Sequence, residues 1–111
     1  VRDILHVEDL VRAMDLALKK AEISPGEVYN IGGGSSNALS LLEIIGYIEE
    51  ISNKKIRLKF DEWRKADQRV YISDIRKAKE KLGWKPSVLW KEGITRLGSW
   101  ALGNKQLFDR A

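Results

Sequence analysis

The chain has 111 residues, of which 43% are hydrophobic and 32% charged, a composition that is ordinary for one soluble globular domain. The absence of cysteine excludes disulfides, thiolate catalysis and cysteine-ligated metals, and it fits a reducing compartment, so we expect a cytoplasmic protein. The net charge of +4 fits either a solvated lysine-rich surface or a site for an anionic ligand.

The first third of the chain predicts two strands with a helix between them. Alternation over residues 2–7 predicts a strand, and apolar residues at helical spacing then predict a helix that ends near Lys20. Residues 27–31 predict a second strand, and the glycine-rich residues 32–37 predict a flexible loop. Because the first strand begins abruptly at Val1, we expect a fragment whose natural sheet partners lie in sequence outside it.

The middle of the chain predicts a helix, a strand and a polar loop. Ser40 and Glu43 have the spacing of a capping box, which predicts a helix that continues to residue 51. Alternation over residues 56–60 predicts a third strand. Residues 61–68 predict a polar loop, and residues 70–72 a brief extended run.

Two further helices are predicted at the end of the chain. The first is capped by Ser73 or Asp74 and ends at Gly83, a residue that suits the left-handed position after a helix. The second is amphipathic and begins near Trp90, and the polar tail beyond Gly103 is expected to fray. Short strands that alternate with helices indicate an α/β fold, a small sheet with flanking helices.

The residues give little support for catalysis by this chain alone. His6 is the one histidine, and its position in an alternating strand favours a half-buried structural residue. No carboxylate cluster has metal-ligand spacing, and no serine lies in a nucleophile elbow. The glycine-rich loop lacks the complete dinucleotide fingerprint, so a tight turn with positive φ is favoured over a cofactor motif. The rim of a ligand pocket stays open as an alternative for this loop.

The loop that contains Trp63, Arg64 and Asp67 is a candidate binding site. An arginine fork matches two phosphate oxygens, a carboxylate accepts hydrogen bonds from ribose hydroxyls, and an indole ring packs against a base or a sugar face. From residue types alone, a solvated loop with an Arg–Asp pair is the favoured interpretation. Arg2 and Asp3 alone likewise indicate only a surface pair.

Together, these segments resemble the extended short-chain dehydrogenase/reductases that act on nucleotide sugars. The resemblance rests on motifs in the same order and spacing along nearly the whole chain: RDILHVEDL (2–10), EVYNIGGG (27–34), LSLLE (39–43), DQRVYISDIRKA (67–78) and LGWKP (82–86). Within the family, NIGGG and EWRKADQR look most like CDP-tyvelose (CDP-paratose) 2-epimerases. UDP-galactose 4-epimerases are similar in layout but more distant.

The resemblance implies a division of labour between two parts of an enzyme. The N-terminal half is a Rossmann domain that holds NAD and carries a Tyr-x-x-x-Lys pair, and neither that pair nor a complete glycine fingerprint occurs in this chain. Residues 1–111 would form the C-terminal part that binds a CDP- or UDP-linked hexose. By position, Arg2 and Arg64 match the phosphate-contacting arginines and Asp67 the ribose-contacting acid. Such a chain would bind substrate, with Trp63 beside it, without catalysing.

One departure from the family lies inside the candidate loop. Lys65 and Ala66 stand where relatives usually have Pro-Gly before the acid, which predicts a less rigid turn.

Two other functions stay open at this point. A small basic domain could bind nucleic acid, although the lysines are scattered rather than clustered. A self-associating module, and hence a homo-oligomer, is the other alternative. No membrane association is expected, since no apolar run approaches the ~20 residues of a span.

Overall fold

The computed structural model describes residues 1–108, and the last three residues of the predicted tail lie outside this range. Within residues 1–108 there are four helices: α1 (Val7–Lys19), α2 (Leu41–Ser52), α3 (Arg76–Leu82) and α4 (Trp90–Gly103). The same part of the chain has two short strands, β1 (Arg2–Asp3) and β2 (Ala38–Leu39), which pair with each other, and 3-10 turns over Ser35–Asn37 and Lys105–Leu107. The predicted α/β class, a small sheet with flanking helices, is confirmed.

Strand β1 lies between two partners. On one side it pairs antiparallel with β2, with Arg2 opposite Leu39 and Asp3 opposite Ala38. On the other side Arg2 forms an isolated parallel bridge with Tyr71, whose amide donates to the carbonyl of Val1 at 3.0 Å. The brief extended run predicted for residues 70–72 therefore meets the start of the chain.

The predictions of three strands are wrong: the first strand is shorter than predicted, and the other two do not form. Only Arg2–Asp3 of residues 2–7 is a strand, and no strand forms over residues 27–31 or 56–60. A strand requires a ladder of backbone partners, whereas alternation reports only which face is apolar. The first amides of these segments bond locally instead: that of Glu27 donates to the carbonyl of Ser24 at 3.1 Å, and that of Ile56 to Glu49 Oε1 at 2.8 Å.

The predicted helices are confirmed, and their ends follow local capping chemistry. At the start of α2, Ser40 Oγ accepts from the amide of Glu43 at 3.2 Å, and Glu43 Oε2 accepts from the amide of Ser40 at 2.7 Å. Helix α3 begins later than predicted, although Asp74 Oδ1 still accepts from the amide of Arg76 at 3.1 Å. It ends at Gly83, whose φ of +69° is left-handed, as predicted.

The core forms where α1 packs against α3. Ala13, Ala78, Leu82 and Trp84 are buried together, and Trp84 Nε1 donates to the carbonyl of Asp9 at 2.9 Å. The opposite side of α1 is also apolar, but it is exposed to solvent along its length (Val7, Val11, Met14 and Leu18). Helix α1 therefore presents one apolar face to the core and another to solvent.

Candidate functional site

The start of β1 meets the candidate loop through an ion pair. Arg2 Nη2 lies 2.9 Å from Asp67 Oδ1, and the two side chains are 45% and 47% exposed. The parallel bridge between Arg2 and Tyr71 brings the strand alongside the chain that follows the loop, which places Asp67 within reach of Arg2. Two residues that are 65 positions apart in the sequence, both predicted to bind the same ligand, are thus in direct contact.

Trp63 belongs to the same cluster. Its Nε1 donates to the carbonyl of Asp67 at 3.3 Å, which folds the indole back over the turn. The guanidinium of Arg69 lies 5.5 Å from the centre of the indole ring, a cation–π distance. Trp63 is nevertheless 62% exposed, so much of its ring surface is open to a ligand.

Arg64 joins the cluster through its backbone. Its carbonyl accepts from the amide of Asp67 at 3.3 Å and closes a turn over residues 64–67. Ala66 has a φ of +64° in this turn, a left-handed conformation that favours glycine over alanine. The Arg64 side chain is exposed, and its guanidinium has no hydrogen-bond or ion-pair partner among residues 1–108. The Lys65–Ala66 departure noted in the sequence thus falls on the strained step of the turn.

Sequence reasoning missed the role of Asp3, which lies beside Arg2 on β1. Asp3 Oδ2 accepts from the amide of Gly34 at 2.9 Å and from that of Ser73 at 3.0 Å. Because successive side chains of a strand point to opposite faces, Arg2 is directed to the loop and Asp3 to the glycine turn. That alternation is the signal in the sequence that could have separated the two roles.

The glycine turn is a tight structural connection, as the residues predicted. Gly34 has a left-handed φ of +67°. A Cβ on Gly33 would overlap the carbonyl oxygen of Ile4, and one on Gly32 would overlap the side chain of Ser73. These glycines are therefore required where the turn packs against neighbouring backbone and side chains.

A second missed residue is Asp9, which is 1% exposed and holds the chain between α3 and α4. Its carboxylate accepts from the amides of Ser87 and Val88 at 3.0 and 2.9 Å, from Ser87 Oγ at 2.8 Å, and from Arg12. Burial raises the pKa of Asp9, but the hydrogen bonds from Val88, Arg12 and Ser87 outweigh it and lower the pKa to about 2. The carboxylate is saturated by the protein and is not available to a ligand.

Asn37 fixes the same segment from the other side. It is 2% exposed, its Nδ2 donates to the carbonyl of Val88 at 3.3 Å, and its Oδ1 accepts from the amide of Trp90 at 2.8 Å. Such buried polar groups are satisfied internally and serve the fold.

A cavity lies away from this cluster. A groove of about 650 Å³ runs between residues 4–8 and α4, and its lining includes none of the four predicted binding residues. The candidate cluster is an open surface loop with a guanidinium, a carboxylate and an indole side by side.

In the part of the chain that the structure covers, no three potential ligands are grouped for a metal ion, and no helix is long and apolar enough to span a membrane.

Comparison with known proteins identifies the family. The model of the GDP-mannose 4,6 dehydratase family matches residues 1–97. The chain belongs to this family. Its membership confirms the resemblance to extended short-chain dehydrogenase/reductases that the motifs indicated.

Several relatives of this chain are named as epimerases or dehydratases of nucleotide sugars. The chain is 37% identical to CDP-paratose 2-epimerase of Salmonella typhi over 90% of its own length and 30% of the relative. It is 34% identical to UDP-glucuronate 4-epimerase of Thermodesulfobacterium geofontis over 96% and 32%. It is 33% identical to dTDP-glucose 4,6-dehydratase of Escherichia coli over 99% and 33%. The chain therefore spans about a third of the length of these curated relatives.

Proposed function

We propose that this chain binds the nucleotide diphosphate of a nucleotide sugar within an NAD-dependent epimerase or dehydratase. The observation that carries the proposal is the ion pair between Arg2 and Asp67, which joins a motif at the start of the chain to a motif in the loop. The relatives add support, since they are named for sugars linked to CDP, UDP and dTDP. Residues 1–111 would be the substrate-binding, C-terminal part of the enzyme.

Each residue of the cluster suits one portion of such a ligand. Arg2 and Arg64 would bind the diphosphate, because a guanidinium donates two parallel hydrogen bonds to phosphate oxygens. Asp67 would accept from the ribose hydroxyls. The open surface of Trp63 would pack against the base or the sugar of a CDP- or UDP-linked hexose. Binding energy far from the reacting sugar carbon positions that carbon for the chemical step.

NAD, which supplies hydride chemistry when bound, would be held by the part of the enzyme outside this chain. The glycine turn does not fit a dinucleotide: the amide of Gly34 already donates to Asp3, and the carbonyl of Ile4 fills the space beside Gly33. We therefore expect the isolated chain to bind a nucleotide sugar without converting it.

The test is an NMR titration of the 111-residue chain with UDP and with CDP. We expect the amide signals of residues 63–69 to shift. Arg64→Ala should weaken binding by about 10- to 100-fold, since a hydrogen bond to a charged group contributes about 1.5–3 kcal/mol. Arg57→Ala is the matched control, because Arg57 is an exposed arginine outside the loop. Unchanged affinity in Arg64→Ala, with the circular dichroism spectrum intact, would remove Arg64 from the site.

The nucleic-acid alternative gains no support from the charges. Several cations pair with neighbouring carboxylates instead of forming one basic surface (Lys19, Lys55, Lys77 and Arg96). A cytoplasmic location and a homo-oligomer stay predictions.

A further inference from the structure

We propose that Asp67 couples the diphosphate and ribose portions of the site by positioning the guanidinium of Arg2. The proposal rests on the nucleotide-binding function above and assigns Asp67 a second role within it. One carboxylate oxygen would hold Arg2 while the other accepts from a ribose hydroxyl. Asp67 would then be a positioning residue for the arginine as well as a contact to the sugar.

The ion pair orients Arg2. Nη2 of Arg2 donates to Asp67 Oδ1, and Nη1 donates to the carbonyl of Val1, both at 2.9 Å. Two contacts on two different nitrogens fix the plane of the guanidinium, and its remaining N–H groups stay available for phosphate oxygens. Asp67 Oδ2 has no hydrogen-bond partner within residues 1–108, so it stays available as an acceptor.

The backbone of Asp67 is itself held in place by the loop. Its amide donates to the carbonyl of Arg64, and its carbonyl accepts from Nε1 of Trp63, both at 3.3 Å. The carboxylate therefore projects from a closed turn that both neighbouring binding residues brace. A fixed carboxylate can orient a flexible arginine, because less side-chain entropy is lost when the ligand arrives.

Removal of the Asp67 carboxylate should change anion binding in opposite directions, depending on whether Asp67 only contacts ribose or also positions Arg2. If Asp67 only contacts ribose, its negative charge repels a bound diphosphate, and its loss strengthens the binding of an anion that has no ribose. If Asp67 positions Arg2, its loss leaves the guanidinium unoriented and weakens the binding of the same anion. Pyrophosphate is the probe that distinguishes these roles, because it is an anionic diphosphate without a sugar.

The experiment compares pyrophosphate binding to the wild-type chain, Asp67→Ala and Glu62→Ala by NMR titration. We expect Asp67→Ala to bind pyrophosphate about two- to fivefold more weakly, in the range of an exposed ion pair. Glu62→Ala is the matched control: it removes an exposed carboxylate from the same loop, and it should bind pyrophosphate as well as the wild type or better. Equal or tighter binding by Asp67→Ala overturns the proposal.

A second variant checks that the effect passes through Arg2. In an Arg2→Ala background, Asp67→Ala should no longer weaken pyrophosphate binding, because no guanidinium is left to position. A loss of the same size in both backgrounds would contradict the coupling. If the wild type binds neither UDP nor pyrophosphate, the proposed function fails and the coupling fails with it. If Arg64→Ala weakens UDP binding but Asp67→Ala leaves pyrophosphate binding unchanged, only the coupling fails.

Discussion

Asp9→Asn should destabilise the chain strongly at neutral pH. The substitution keeps the size of the side chain but replaces an acceptor oxygen by an amide that donates. In the native protein, one oxygen of Asp9 accepts from the amides of both Ser87 and Val88, and the other accepts from Ser87 Oγ and Arg12. With Asp9 only 1% exposed, water cannot replace these contacts.

The size of the effect follows from the contacts and from the pKa. Removal of one partner from a buried, hydrogen-bonded ion pair costs about 3–5 kcal/mol, so we expect a loss near ~3 kcal/mol. The pKa of Asp9 is about 2 in the folded chain, against 3.8 as the ordinary value, because the hydrogen bonds outweigh the opposing effect of burial. This difference corresponds to roughly 2–3 kcal/mol of stability from ionisation of the carboxyl group.

The sign of the pH dependence is fixed by the direction of that shift. Between the two pKa values the unfolded state binds more protons than the folded state, so stability falls as the pH decreases from about 4 to about 2. Above this window the contribution of Asp9 is fully present. In Asp9→Asn this titration is absent. The difference in the free energy of unfolding between the wild type and Asp9→Asn should therefore become smaller as the pH decreases.

The assay is urea unfolding at pH 7 and at several values between 4.5 and 2.5, followed by tryptophan fluorescence, to which the buried Trp84 contributes. Asp15→Asn is the control, since Asp15 forms an exposed pair with Lys19 and should change stability by about 0.5 kcal/mol or less. A variant within ~0.5 kcal/mol of the wild type at pH 7 would refute the reasoning. A difference in stability between the two proteins that does not change with pH would also refute it.

Two glycine-related substitutions test the turns beside the site, both by urea unfolding. Gly33→Ala should lower the free energy of unfolding by about 1–3 kcal/mol, because the added Cβ overlaps the carbonyl of Ile4. Gly98→Ala in α4 is the control: its Cβ meets no atom within 4 Å, so it should raise the free energy of unfolding by about 0.5–1 kcal/mol. Equal effects at the two positions would disprove the close approach of Gly33 to Ile4. Ala66→Gly should stabilise the turn by roughly 0.5–1 kcal/mol, since it relieves a left-handed φ of +64°. A loss of stability in Ala66→Gly would show that the turn does not hold this conformation in solution.

The sequence predicted the helices well because their signals are local. The capping box of Ser40 and Glu43 and the left-handed Gly83 each act within a few residues, so neither depends on the rest of the fold. Strands failed because the segments over residues 27–31 and 56–60 have the apolar pattern without a backbone partner in the described chain.

For the candidate site, the residue types and the family resemblance identified the candidate residues, and the tertiary structure decided which of them are in contact. Trp63, Arg64 and Asp67 lie within one turn, so their proximity follows from the sequence. The contact of Asp67 with Arg2 does not, because it depends on the bridge between Arg2 and Tyr71 across a long stretch of chain.

Asp9 shows the same division between local and long-range information. Asp9 lies in the first turn of α1, where a negative charge is favourable for local reasons. Its burial and its bonds to Ser87 and Val88 arise only when α1 packs beside the chain that leaves α3. Local chemistry thus determined where most of the helices begin and end, and the family resemblance supplied the candidate residues of the site. Only tertiary packing decided which carboxylates are buried and which one faces an arginine, because those contacts join segments far apart in the sequence.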